Sequence, residues 1–247
     1  MRQTKIEWTE VTWNPTTGCT KVSSGCKNCY AEKMALRLKG MGIKKYDNGF
    51  ELAIHPAVLI EPYKWSSSKV VFVNSMSDLF HEDLPFEFLE KVFTVMNENP
   101  KHIFQVLTKR VELLLEYSSK LHWTDNIWMG VTVESSKYMD RINLLRQVPA
   151  SIRFLSLEPL LSSLPNLNLD KIDWVIVGGE SGINSRPVKK EWVNSILTQC
   201  QVQNVPFFFK QWGGMNKKKN GRMLDGEFYN EMPKKYGQIR LFPAETY

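Results

Sequence analysis

The chain has 247 residues, 43% of them apolar, with a formal net charge of +6 and a pI near 9.0. That length fits one large domain or two small ones, and the mild basic excess permits a nucleic-acid partner without demanding one. No stretch approaches the roughly 18 unbroken apolar residues of a membrane span, and the polar start, MRQTKIEWTE, has no secretory core, so no membrane association and a cytoplasmic, thiol-reducing setting are expected.

In chain order, a first strand is expected within residues 6–13, then a loop with three cysteines, then a helix opening near Cys29 (CYAEKMALRLK). From residue 69 onward short β-rich runs alternate with helical patterns. Strands are predicted at 69–74 (KVVFVN), 102–107 (HIFQVL), 126–133 (NIWMGVTV), 152–157 (IRFLSL), 173–178 (DWVIVG) and 206–210 (PFFFK). Helices are predicted at 86–97, where Phe88, Leu89, Val92, Phe93 and Met96 form one stripe, and at 110–117, 139–147 and 191–203. A weak helical pattern lies at 160–172 (LLSSLPNLNLDKI). In the helix at 191–203, Cys200 shares the apolar face with Val193, Ile196 and Leu197 and reads as a small buried hydrophobe.

The strands are nearly continuous apolar runs, as parallel strands buried on both faces require. Strand–helix alternation then gives an α/β fold, a partial parallel βα barrel of about six to seven strands, with a doubly wound open sheet as the alternative. Residues 213–247 differ in character. They are rich in glycine and lysine, carry seven Lys/Arg against four Asp/Glu, and read as a basic C-terminal extension or lid.

The apolar runs end in polar groups: Asn74, Ser75, Ser77 and Asp78; Thr108, Lys109 and Arg110; Thr132 and Glu134; Ser156 and Glu158; Gly178, Gly179 and Glu180; Lys210. In βα folds the carboxyl ends of the strands build the ligand site, so six such tips are expected to converge on one mouth. Helix capping accounts for Ser77, Asp78 and Thr108. It accounts less well for Glu134, Glu158, Glu180 and Lys210, which need a ligand, an ion pair or solvent. Lys109, Arg110, Arg186 and Lys210 are candidates for anionic groups, with ordinary ion pairs as the alternative. The eight tryptophans read as core and rim, Trp212 after the strand-end lysine being the exception that invites base stacking.

Three of the four cysteines fall within eleven residues, as Cys19-x6-Cys26-x2-Cys29. Three thiolates can hold one metal centre and leave a coordination position open, which structural sites normally close. Three assignments compete. One is a [4Fe–4S] cluster with one free iron; a second is zinc completed by Cys200 or a histidine; the third is unligated thiols. Among His55, His81, His102 and His122 no second pair stands at ligand spacing, which counts against zinc. Gly18 and Gly25 each precede a cysteine and allow close backbone approach.

A three-cysteine loop after the first strand of a parallel α/β barrel resembles the radical S-adenosylmethionine superfamily. The commonest spacing there is Cys-x3-Cys-x2-Cys; here six residues separate the first two cysteines, and Asn28 replaces the usual aromatic before the third, with Tyr30 following it. The stretches TGCTKVSSGCKNCYAE, VNSMSDLFH, TKR, GVTVE, SLEPLL, GGESG, RPV, KQWGG and GRMLDG are similar to an uncharacterised, largely phage- and bacteria-encoded group of that superfamily, found beside a three-Cys-motif partner protein and distantly similar to spore photoproduct lyase. The resemblance implies a partial TIM barrel over residues 1–212 with 213–247 appended. It implies a [4Fe–4S] cluster on Cys19, Cys26 and Cys29, S-adenosylmethionine on the free iron, and a 5′-deoxyadenosyl radical that takes a hydrogen atom from substrate. It places Asn74, Ser75, Ser77 and Asp78 near the methionine amine, and Thr132 and Glu134 near the ribose or carboxylate. Ser156 and Glu158 follow at the next tip, Gly178 and Gly179 admit an adenine or substrate, and Lys210 meets an anionic group. The resemblance carries no established substrate; the basic tail together with the distant lyase similarity points to a nucleic-acid base or nucleotide, with flavodoxin or ferredoxin as the expected electron donor and a bacterial or phage-infected cytoplasm as the setting. Two other functions stand beside it: a zinc-stabilised nucleic-acid-binding module without catalysis, and a degenerate cluster-binding scaffold partner.

Overall fold

The computed structural model describes residue 4 and residues 6–233. Its elements in chain order are β1 (Val11–Trp13), β2 (Thr16–Thr17), α1 (Tyr30–Gly40), β3 (Ala53–Ile54), β4 (Val70–Val73) and α2 (Phe86–Asn97). Then come β5 (Ile103–Thr108), α3 (Val111–Ser118), β6 (Ile127–Thr132), α4 (Asp140–Leu145) and β7 (Ile152–Leu157). The chain continues through β8 (Trp174–Gly178), α5 (Lys190–Val202), β9 (Phe207–Gln211) and the single turn α6 (Lys217–Asn220).

Seven strands form one parallel sheet in the order β1-β4-β5-β6-β7-β8-β9. The order never reverses, so every crossover runs the same way round the sheet and the helices fall on one face. A doubly wound sheet would reverse at a switch point; the partial barrel is therefore the correct alternative of the two. Side chains alternate between the faces. Val71, Val73, Phe104, Val106, Met129, Val131, Leu155 and Val175 pack outward with Leu89, Val92, Val111, Ile142 and Ile196 of the helices. Val70, Ile103, Trp128, Ile152, Phe154, Trp174, Ile176 and Phe208 point to the other, concave face.

The curl of the sheet shows in Trp8, which precedes the edge strand β1. Its ring lies 4.7 Å from that of Phe72 on β4, yet also 6.2 Å from that of Trp174 on β8. One side chain reaches both only if the sheet wraps around it. Trp8, Phe154, Trp174 and Phe208 thus fill the amino-terminal part of the lumen with tilted and edge-to-face rings, a geometry that favours aromatic pairs. The lumen is left to polar groups at the carboxyl end.

Two expectations need correction. Within 6–13 only Val11–Trp13 is a strand; the preceding residues turn so that Trp8 enters the lumen. Residues 160–172 are not a helix. Pro165 removes a donor, and Asn166 and Lys171 take positive φ of 56° and 57°, which no helix accommodates. The apolar period there serves an irregular strap whose Leu160, Leu164, Leu167, Leu169 and Ile172 are all buried against the sheet. The small antiparallel pair β2–β3 lies inside the cysteine-bearing excursion and was not foreseen.

Of the expected extension or lid, residues 213–233 return along β9: Phe209 N–H donates to the Tyr229 carbonyl, and Glu231 accepts from Phe207 N–H and Trp174 Nε1. Such cover protects an exposed sheet edge. Residues 234–247 lie outside the described residues. Cys200 is fully buried, as its helical spacing implied, and burial pushes its thiol up to about 12. No helix among the described residues is long and apolar enough to cross a membrane.

Candidate active site

The loop carrying Cys19, Cys26 and Cys29 leaves the end of β1 and lies over the carboxyl ends of the other strands. It begins at Gly18, which takes φ of +83°; a side chain there would also collide with the Glu51 carbonyl. Gly18 N–H donates to the Met76 carbonyl at 2.9 Å and its own carbonyl accepts from Ser77 Oγ at 2.6 Å. Asn74 exchanges two hydrogen bonds with Thr16, and Ser75 Oγ donates to Asn14. The tip of β4 therefore anchors the start of the loop.

The acids at the next tips hold the rest. Glu134, beyond β6, is fully buried; it accepts from Gly25 N–H at 3.0 Å on one oxygen and from Arg141 at 3.0 Å on the other. Glu180, beyond β8, accepts from Asn28 Nδ2 at 2.9 Å and is paired with Arg186, which also donates to the Ser24 carbonyl at 2.9 Å. Burial works against the Glu180 carboxylate, but Arg186 and Asn28 outweigh it and hold its pKa at about 2. Asp78 accepts from Thr108 Oγ1 at 2.7 Å, from Lys109 N–H at 3.1 Å and from Arg110 at 3.3 Å. Arg110 passes the connection on: it donates to Cys19 Sγ at 3.3 Å and to Thr20, and pairs with Glu82. Thus Asn74, Ser77, Asp78, Glu134 and Glu180 all position the cysteine loop.

What remains faces the lumen. The strand register sets Thr132 opposite Ser156 and Ser156 opposite Ile176, a layer just above the rings. The Thr132 hydroxyl is buried and has no hydrogen-bond partner among the described residues. One layer higher, Lys210 Nζ sits 2.9 Å from Glu158. Burial works against the Lys210 ammonium, but Glu158 and Glu7 outweigh it and raise its pKa. Gly178 leaves space that Glu158 fills. Gly179 serves the backbone instead: a side chain there would strike the Trp212 carbonyl where the β8 and β9 tips meet. Trp212 is half-buried, with its indole N–H on the Met223 carbonyl at 2.8 Å.

The thiols differ. Burial, with Asp78 adding, pushes Cys19 up to about 11 despite Arg110. At Cys26 burial acts upward too, but Lys109 and hydrogen bonds from Val22 and Ser23 bring the pKa below the ordinary thiol value. Cys26 acts electrostatically on Cys19, and Cys26 and Cys29 both act on Lys21. Among the described residues no three His, Cys, Asp or Glu side chains converge on one ion-sized point. A single zinc ion, with Zn–S near 2.3 Å, would draw its sulfurs to within roughly 4 Å of one another. A cuboidal cluster binds each thiolate on a separate iron and keeps them farther apart. The donor set, three thiols backed by Arg110 and Lys109 with no fourth ligand beside them among the described residues, fits the cluster better. A groove of about 480 Å³ also opens beside Cys19, between α1 and residues 48–52.

Asn28 and Arg141 were not foreseen as site residues, and Gly25 was singled out for close backbone approach without its acid partner Glu134. Gly25 and Asn28 both stand inside the cysteine motif, which is a local signal; Arg141 had none.

No curated relative matches the chain. Two solved structures of spore photoproduct lyase are similar to it, each with a TM-score of 0.45. One, a double mutant with bound AdoMet and dinucleoside spore photoproduct, is 11% identical over 76% of this chain and 60% of that one. The other, complexed with dinucleoside spore photoproduct, is 12% identical over 75% and 59%. The chain thus spans about 60% of the length of the lyase chains it matches. A family profile, described as a protein of unknown function (DUF5131), matches residues 3–233. On that match the chain belongs to the DUF5131 family.

Proposed function

We propose that this protein is a radical S-adenosylmethionine enzyme, with Cys19, Cys26 and Cys29 as ligands of a [4Fe–4S] cluster at the mouth of a partial barrel. The observation that carries the reading is the placement of the cysteine loop: three strand tips hold it over the lumen through Ser77 and Asp78–Arg110, Glu134, and Glu180. With S-adenosylmethionine bound, the cluster would supply a 5′-deoxyadenosyl radical that takes a hydrogen atom from substrate.

The chain's own residues divide the remaining work. Asn74, Ser75, Ser77, Asp78 and Glu134 fix the loop and border the sulfonium cofactor. Thr132 and Ser156 form a polar floor, and the free Thr132 hydroxyl is available to a ribose or an amine. Lys210, paired with Glu158, meets an anionic group. Below them the ring-filled lumen excludes water, which protects a reactive intermediate. Residues 1–212 form the catalytic barrel in this reading, and residues 213–247 are appended to it. A base or nucleotide as substrate, a flavodoxin- or ferredoxin-like donor, a three-Cys-motif partner protein, a phage or bacterial origin and a cytoplasmic setting complete it.

The test is cofactor cleavage. Anaerobically reconstituted protein, reduced with dithionite in the presence of S-adenosylmethionine, should release 5′-deoxyadenosine, and the Cys26→Ala protein should not. A fully loaded wild-type protein that cleaves nothing contradicts the enzyme.

A further inference from the structure

The positive charge of this chain is unevenly placed. Residues 21–45 hold seven Lys and Arg against one acid, Glu32, a net +6 that equals the formal charge of the whole chain. Lys21, Lys27, Lys33, Arg37, Lys39 and Lys44 are exposed. The seventh, Lys45, turns inward to donate to the Asn14 carbonyl at 2.8 Å. Lys21 is paired with Glu32 at 2.8 Å; among the described residues no ion pair neutralises the other exposed five.

This basic stripe has a direction. Lys33 and Arg37 are four residues apart on α1 and share a face. Lys33 Nζ lies 3.5 Å from the Ile183 carbonyl, so the first turn of α1 abuts the loop beyond the β8 tip. Tyr30 opens that turn immediately after Cys29, is 61% exposed, and stands near enough to Lys210 to act on it electrostatically. An exposed aromatic ring therefore stands between the barrel mouth and a run of cations leading away from it.

A row of cations ending in a free ring matches a chain of phosphates that carries bases. It matches a folded acidic protein less well, because interface centres are depleted in lysine. A duplex would keep its bases stacked away from Tyr30 and from the mouth, whereas a single strand offers them freely.

We propose that α1 and its flanking loops bind single-stranded nucleic acid, with phosphates along Lys33, Arg37 and Lys44 and a base against Tyr30, which leads the strand to the mouth. That the strand is also substrate rests on the radical reading above; that it binds does not.

The experiment is fluorescence anisotropy of a labelled thymidine oligomer of about 20 nucleotides on the full chain, titrated at several salt concentrations. Three phosphate contacts give a log–log salt slope of about −2.1, a loss of roughly 20-fold between about 50 and about 200 mM. Lys33→Glu with Arg37→Glu should reduce that slope by about 1.4; Lys91→Glu with Lys171→Glu, elsewhere on the surface, should leave it unchanged. Tyr30→Ala should weaken binding roughly tenfold with the slope unaltered. No binding at about 50 mM salt overturns the proposal, as does equal binding by the Lys33/Arg37 variant. Equal competition by poly-L-glutamate, with no effect of Tyr30→Ala, overturns it in favour of a surface for acidic protein. Iron content of the same samples separates the two readings: oligomer binding without iron contradicts the radical enzyme alone, and iron without oligomer binding contradicts this surface alone.

Discussion

The buried carboxylate of Glu134 accepts the Gly25 N–H at 3.0 Å across 109 residues of sequence. The same carboxylate is paired with Arg141, so a strand tip, a helix and the cysteine loop meet at one acid. Glu134→Ala would leave Arg141 buried without its partner. Breaking a buried pair in this way costs about 3–5 kcal/mol. Urea denaturation should register that loss, and iron retained after reconstitution should fall with it. Glu134→Gln, which keeps an acceptor for Gly25, should retain more of both.

Gly18 makes a sharper prediction. Its φ of +83° and the Glu51 carbonyl behind it leave no place for a side chain. Gly18→Ala should cost upwards of ~2 kcal/mol, since both the backbone and the neighbouring carbonyl must shift. Gly40→Ala, at a position open to solvent, is the control and should change thermal stability little.

How much of this was legible beforehand depends on sequence distance. The strands and helices show in local periodicity, and α2 falls where the stripe of Phe88, Leu89, Val92, Phe93 and Met96 placed it. Strap 160–172 misled because its leucines repeat at helical spacing while Pro165 and two left-handed residues forbid the helix. The acids at the strand tips stood out as unexplained by capping, but their partners did not. Glu180 meets Asn28 across 152 residues, and Arg110 meets Cys19 across 91. Such pairs are fixed by the register of the barrel, which no local pattern encodes. Gly179 looked like an opening for a ligand, yet its lack of a side chain serves the contact with Trp212.

Glu180 predicts a pH dependence. Arg186 and Asn28 hold its folded pKa at about 2, below the ordinary 4.5. Its stabilisation is therefore complete above about pH 4.5 and is lost as pH falls through 2, an effect of order 2–3 kcal/mol by linkage. Denaturant midpoints between about pH 5 and pH 2 should drop less steeply in Glu180→Gln than in the wild type. Parallel curves would contradict the assignment.

In the lumen, Lys210→Met would strand Glu158 half-buried beside it. The single substitution should destabilise the fold by about 1–3 kcal/mol, and adding Glu158→Gln should restore part of the loss, because the two side chains are coupled. A double-mutant cycle measured by thermal unfolding checks this. Additive losses would mean that the 2.9 Å contact contributes no coupling.

Cys200, fully buried in α5, separates packing from ligation. Cys200→Ala should cost about 1 kcal/mol through lost packing and leave the metal content unchanged, whereas alanine at Cys19, Cys26 or Cys29 should abolish it.

Metal and sulfide analysis of protein purified and reconstituted without oxygen decides whether Cys19, Cys26 and Cys29 hold a cluster. About four iron and four sulfide per chain are expected, lost together on replacing any one of Cys19, Cys26 and Cys29. Stoichiometric zinc without iron, or protein that stays iron-free, would contradict the cluster.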